Sequence, residues 1–260
     1  MNILRRITEK LKCIKALPKE RELSRLGHLP RRIPAVTTLF GKPFYAVDGA
    51  SFVSAYKEIF GNGIYAFRAA SRSPYIIDCG ANVGVSVLYF KKQYPDAEVI
   101  AFEPDPGIFK TLEKNVSVQK LQNVALVNKA VWDADAILSF MSDGADGGRV
   151  SEKAGIPVEA VRLVPFLNRP VDFLKIDIEG AEDVVLKDSE PHLKNVKNMF
   201  VEYHSRTGSP QSLADILGIL TRAGFRYHLQ SATEKQKTPF ISRTSKDGFD
   251  NQLNIFAYRP

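Results

Sequence analysis

Residues 74–84 read PYIIDCGANVG (Pro74–Gly84), a short apolar run that passes directly into a glycine-containing turn, with the helical stretch Val83–Gln93 behind it. An apolar run of this length, bounded by Pro and Gly, reads as a buried strand. The same rhythm continues downstream. Apolar runs at Tyr75–Cys79, Glu98–Phe102, Val124–Asn128, Val171–Ile176 and Asn198–Glu202 read as strands, and helical stretches at Pro106–Val118 and Ala181–Leu186 lie between several of them. Strand and helix in alternation predict an α/β fold, a parallel sheet with helices on both faces. Leu213–Ala223 reads as a further helix, and Phe225–Leu229 and Leu253–Tyr258 as the last strands. Upstream, Phe52–Phe67 carries apolar residues at helical spacing and is ended by Gly61–Asn62–Gly63.

In an open α/β sheet the ligand sits beyond the carboxyl ends of the strands, so the turn Asp78–Gly84 is where a nucleotide would bind. Glycine at Gly80 and Gly84 lets the backbone approach a ligand closely. The spacing is not the G-x-G-x-x-G of a dinucleotide fingerprint, which cradles a pyrophosphate. Asp78 repels phosphate but suits the ammonium of an amino-acid moiety, and S-adenosylmethionine carries such an ammonium and no phosphate. Glu103, 19 residues after Gly84 at the tip of the next strand, is placed to accept both ribose hydroxyls. Asp105 reads as the N-cap of the helix that Pro106 starts. Asn82, Pro104 and Ala130 are assigned to the same donor pocket.

Two further strand ends carry candidates for the chemistry. Lys175–Glu182 crowds Asp177, Glu179 and Glu182 into a strand tip and the first helical turn after it. Glu179 and Glu182 there have two readings, a part in the site's chemistry or no more than a complement to the helix dipole. Asp177 is expected to project into the crevice and to orient the donor's ammonium or the acceptor hydroxyl. Along Phe200–His204 side chains alternate, so Glu202 and His204 share one face. His204 is the candidate general base, because its ordinary pKa lies near neutrality, with Asp177 or Glu202 positioning it.

The chain has 260 residues, 44% hydrophobic and 25% charged, the composition of an ordinary globular domain. Its formal net charge of +7 is concentrated in residues 1–32, which hold ten Lys or Arg against Glu9, Glu20 and Glu22. Residues 1–45 are accordingly read as a basic, helical arm followed by a Pro-punctuated linker, and 46–260 as the catalytic domain, with its core at 74–204. The segment 132–169 breaks the rhythm and reads as an insertion or lid around the polar turn Ser142–Gly148. In the arm, Ile3, Leu4, Ile7, Leu11 and Ile14 recur at helical spacing, which predicts a basic amphipathic helix, either solvated or lying on anionic lipid. Apolar runs stay far below the ~20 residues of a membrane span, and Arg5, Arg6, Lys10 and Lys12 interrupt any secretory h-region, so the expected location is the cytoplasm, with a peripheral place at the inner face of a membrane as the alternative that goes with the lipid-binding arm. Two cysteines, Cys13 and Cys79, cannot build a disulfide framework or a zinc site.

The ordered set IIDCGANVGVSVLYF, YPDAEVIAFEPDPGIFKTLEKNV, VDFLKIDIEGAEDVVL and FVEYH closely resembles the FkbM family of class I methyltransferases, and Tyr56–Phe60 with Tyr65 looks like that family's entry segment. The resemblance implies a Rossmann-like seven-stranded sheet with an antiparallel last strand. It implies S-adenosylmethionine as donor, S-adenosylhomocysteine as product, and transfer to a hydroxyl of a sugar, glycan or secondary metabolite. The oxygen-rich carboxylate cluster would also suit magnesium, but a metal-free reaction is the preferred expectation. A nucleic-acid methyltransferase is disfavoured, because Asp177–Ile178–Glu179–Gly180 stands where base-amino methylases resembling this fold place an N/D-P-P-Y/F/W motif. A nicotinamide oxidoreductase is disfavoured by Asp78, and a non-catalytic module that keeps the donor fold is the remaining alternative.

Overall fold

The computed structural model describes residues 19–145, 147–150, 155–233, 238, 240–241 and 248–259. The helix expected over Ile3–Ile14 lies outside them. The chain opens with helix α1 (Lys19–Gly27), a small antiparallel hairpin of β1 (Ala35–Thr37) and β2 (Phe44–Ala46), and helix α2 (Gly49–Tyr56), which continues as a π-helical turn over Lys57–Gly61. The main alternation follows: β3 (Tyr75–Cys79), α3 (Val85–Gln93), β4 (Glu98–Phe102), α4 (Pro106–Gln119) and β5 (Val124–Val127). After an inserted unit come β10 (Val171–Ile176), α5 (Glu182–Ser189), β11 (Val196–Arg206), α6 (Leu213–Arg222), β12 (Arg226–Ser231) and β13 (Phe249–Tyr258).

The seven strands of the central sheet run in the order β12-β13-β11-β10-β3-β4-β5. Only β13 is antiparallel to its neighbours, and β3, β4, β5, β10 and β11 pair in parallel. Every residue of β3 is buried, as a strand covered on both faces requires. Strand order reverses between β3 and β10, which opens a crevice at their carboxyl ends. The expected α/β fold, with its antiparallel last strand, is therefore present.

The helix starts follow from particular side chains. Asp105 caps α4 by accepting from the amides of Gly107 (2.8 Å) and Ile108 (3.2 Å), and Pro106 occupies the first turn, where its missing N–H costs nothing. Asp105 also accepts from the Ser142 hydroxyl of the insertion. Asp105→Ala is expected to lower stability by about 1 kcal/mol through loss of the cap, read as a lower urea midpoint at an unchanged slope. Gly84 precedes α3 at φ 88°, and a Cβ there would lie 2.6 Å from Leu112 Cδ1.

Residues 19–45, expected as part of an arm and linker, pack into the domain. Leu26 and Phe44 are fully buried, and Asn115 of α4 accepts from the Tyr45 amide and donates to its carbonyl, both at 2.8 Å. Pro34 and Pro43, read as linker punctuation, flank the strands of the hairpin instead. The insertion is also structured: β6 (Ala130–Trp132), β7 (Ala136–Met141), β8 (Arg149–Val150) and β9 (Ile156–Arg162) form a second sheet in the order β6-β9-β7-β8. Its tip docks on the glycine turn, where the Asn82 side-chain amide donates to the Ala145 carbonyl at 2.9 Å. Among the described residues, no helix is long and apolar enough to cross a membrane.

Candidate active site

The turn after β3 approaches the end of β10 more closely than any side chain permits. Gly80 sits at φ +84°, and a Cβ there would lie 1.9 Å from the Asp177 carbonyl oxygen. The turn is held by Gly80 and Ala81 amides donating to the Phe102 carbonyl (3.0 and 2.8 Å). Asp78, expected to meet a ligand's ammonium, is instead fully buried and does not border the cavity. Its Oδ2 accepts from Ser86 Oγ at 2.5 Å, and its Oδ1 lies 3.3 Å from Lys175 Nζ. Gly84 likewise stays outside the cavity, in its tight contact with Leu112. Each has its own cause: the Asp78 carboxylate is taken up by Ser86 and Lys175, and Gly84 is pressed against Leu112 at the start of the helix, so the turn brings the Gly80–Asn82 backbone to the crevice.

Lys175, passed over as one position in an apolar strand, is the hub of this end of the sheet. It is registered beside Asp78 across β3 and β10, and its Nζ lies 3.2 Å from Asp177 Oδ2 and donates to the carbonyls of Gly80 (2.8 Å) and Cys79 (3.3 Å). Burial alone would strip its proton, but Asp177 and Asp78 outweigh burial and hold its pKa well above the ordinary lysine range. The pattern of two in-register opposite charges inside two apolar strands was the available signal.

A cavity of about 600 Å³ opens over these strand ends. Of the residues assigned to the donor, Gly80, Asn82, Glu103, Pro104, Ala130 and Asp177 line it. Glu103 is 5% exposed, and its two oxygens accept from the amides of Asn82 and Asp105, both at 2.9 Å. Burial pushes its carboxyl up to about 7, against the opposing pull of those two amides. Across the cavity stand Asp177, Glu202 and His204, joined by Glu58 and Tyr65 from the N-terminal segment and by Glu179.

His204 is 6% exposed and is fixed from both sides. Its Nδ1 lies 3.0 Å from Glu182 Oε1, and that oxygen also accepts from the amides of Gly180 (3.0 Å) and Ile178 (3.3 Å). Glu182, for which the sequence left two readings open, is turned inward, 1% exposed, as the partner that orients the imidazole. His204 Nε2 faces Glu179 at 3.6 Å and Glu202 at 3.8 Å. Burial would lower the histidine's pKa, but Glu182, then Glu179 and Glu202, raise it well above its ordinary value. The near-neutral pKa expected for His204 is therefore displaced upward. Burial, then Asp177, pushes Glu202 up to about 8, and burial foremost raises Glu179 well above the usual carboxylate range. Single atoms of Asp177, Glu179 and His204 lie within 4.8 Å of one another, an oxygen-rich set that fits a small divalent cation.

The Methyltransferase FkbM domain matches residues 78–227, more than half of the chain. The chain belongs to the FkbM methyltransferase family. This FkbM-family methyltransferase is 31% identical over 210 residues to Methyltransferase sdnD of Sordaria araneosa, a match covering 64% of this chain and 80% of that one. It is 26% identical over 211 residues to the 31-O-demethyl-FK506 methyltransferase FkbM of Streptomyces tacrolimicus, covering 65% and 80%. A further relative, the 2-O-methyltransferase NoeI of Sinorhizobium fredii, is 24% identical over 155 residues, covering 50% and 63%. Among solved structures, Methyltransferase FkbM from Methylobacillus flagellatus aligns with a TM-score of 0.48 at 15% identity, over 91% of this chain and 58% of that chain.

Proposed function

We propose that this methyltransferase moves the methyl group of S-adenosylmethionine to a hydroxyl of a sugar, glycan or secondary metabolite. The observation that carries the reading is that one cavity, at the switch point of the sheet, joins the Glu103 side to the His204–Glu182 side. The names of two relatives, a 2-O-methyltransferase and a 31-O-demethyl-FK506 methyltransferase, support oxygen as the atom methylated.

In this reading the donor lies along the Gly80–Asn82 turn, with Glu103 accepting from its ribose hydroxyls, Pro104 and Ala130 beside it and Asp177 near its ammonium. The donor supplies an already activated methyl group, so alignment of donor and acceptor is the protein's main contribution, worth up to ~7–11 kcal/mol. The acceptor oxygen forms a bond to the methyl carbon as the carbon–sulfur bond breaks and sulfur keeps the electron pair. The acceptor's proton passes to His204 Nε2, and Glu182 on Nδ1 stabilises the imidazolium that results. The sulfonium's positive charge beside Asp177, Glu179 and Glu202 competes for the same carboxylates, which favours the neutral imidazole needed for this step.

Calorimetry with S-adenosylhomocysteine between pH 5.5 and 8.5 tests the donor half. The ribose hydroxyls bind the ionised form of Glu103, whose carboxyl is protonated below about 7 in the free protein, so affinity is expected to fall as pH falls. The drop between pH 7 and pH 6 should be roughly fivefold, and Glu103→Gln should flatten it. Binding of NAD alone would overturn the reading. A divalent cation held by Asp177, Glu179 and His204 is the second reading, favoured by their mutual distances. Activity abolished by a chelator, with near-normal turnover in His204→Ala, would replace the proton-acceptor role with that cation.

A further inference from the structure

One deeply buried polar group at the centre of the cavity is without a partner. Tyr65 is 3% exposed, and its ring is held among Phe90, Phe173 and Phe200 at centroid distances of 5.8, 6.2 and 4.9 Å. Lys175 follows Phe173, and Glu202 follows Phe200, two residues further along the same strands and on the same face of the sheet. The phenol therefore stands just below the strand ends, and it borders the cavity. Burial foremost raises its pKa well above the ordinary value, with Lys175, Asp177, Glu202 and Asp78 as the charges that act on it, so the group stays a neutral hydroxyl. No hydrogen-bond partner for that hydroxyl exists among the described residues. Buried hydroxyls ordinarily have a partner, and one that opens on a cavity without one is kept for a ligand.

The neighbouring groups select the part of the ligand. Lys175 is spent: its Nζ serves the carbonyls of Gly80 and Cys79 and lies against Asp78 and against Asp177 Oδ2. Asp177 Oδ1 is left, with no hydrogen bond among the described residues. An ammonium has three N–H donors and no acceptor, so a single carboxylate oxygen cannot satisfy it. A second carboxylate there would repel Asp177, whereas the phenol oxygen brings lone pairs and no charge.

We propose that the Tyr65 hydroxyl holds the ammonium of the methyl donor together with Asp177, accepting one of its N–H bonds. The inference rests on the methyl-transfer reading, in which S-adenosylmethionine lies along the Gly80–Asn82 turn, and it adds a residue from the segment before β3 to the donor's binding site. A ligand without the amine leaves the phenol buried and unpaired, which disfavours it.

Its test is calorimetry on the full chain with S-adenosylhomocysteine and with the deaminated analogue of that ligand, 4-(adenosylthio)butanoate, in the unsubstituted protein and in Tyr65→Phe. Phenylalanine keeps the ring in its aromatic setting and removes only the hydroxyl. Tyr65→Phe is expected to weaken S-adenosylhomocysteine binding roughly tenfold and binding of the analogue less than about twofold, so that the preference for the amine-bearing ligand falls. Unchanged affinity for S-adenosylhomocysteine in Tyr65→Phe would overturn the proposal. An equal or larger loss for the analogue would overturn it too, since the hydroxyl would then act elsewhere than at the amine. Failure of the methyl-transfer reading is distinct, because S-adenosylhomocysteine would then not bind the unsubstituted chain at all.

Discussion

His204→Ala is expected to lower kcat for methyl transfer by roughly 10²–10⁴-fold while S-adenosylhomocysteine affinity stays within about threefold. In the proposed reading the imidazole serves the acceptor and Glu103 the donor, so loss of the imidazole removes proton acceptance without touching donor contacts. Glu182→Gln should reproduce part of the loss, roughly 10–100-fold, because the Nδ1 partner then no longer stabilises the imidazolium. The sign of the accompanying pH shift follows from the charges. Glu182, Glu179 and Glu202 raise the pKa of His204, so the neutral base is scarce at low pH and turnover should climb as pH rises. Removing the Glu182 charge lowers that pKa, and the rising limb of log kcat against pH should move to lower pH in Glu182→Gln. A limb that stays in place would show that His204 does not titrate in the rate-limiting step.

Lys175→Met is expected to destabilise the fold by roughly 3–5 kcal/mol, because it leaves the fully buried Asp78 without its cation. For a domain of this size that corresponds to a fall in Tm of about 10 °C, measured by calorimetry or circular dichroism. Asp78→Asn combined with Lys175→Met should recover a large part of the loss, since it removes the charge that the first substitution stranded. If the double variant were as unstable as Lys175→Met alone, the destabilisation would come from the lost bonds to the Gly80 and Cys79 carbonyls instead. Donor affinity should fall in parallel, because those bonds tie the turn to the strand that carries Asp177.

The two substitutions probe different kinds of legibility. His204 and Glu202 could be placed together from sequence because a strand has period two and both lie at its end. Glu103 was legible from its distance to the glycine turn, and Asp105 from the proline beside it. Lys175 was not read as functional, the part of Glu182 was left open, and Tyr65 was read only through the family resemblance. Each meets its partner across a long stretch of chain: Lys175 pairs with Asp78, Glu182 reaches His204, and Tyr65 stands against Phe200. Local patterns carry no term for such contacts.

By itself the sequence determined the alternation of strand and helix, the parallel sheet, the site at its carboxyl edge and the family. These depend on side-chain periodicity, turn chemistry and motif order, which act over a few residues. Only the tertiary structure decided which way the charged side chains of the opening stretch point: Asp78 inward to Lys175, and the Gly80 backbone outward to the cavity. It also drew residues 19–46 into the core and set the insertion on the Asn82 turn. Burial and charge pairing are sums over neighbours distant in sequence, and so is the upward displacement of the His204 pKa.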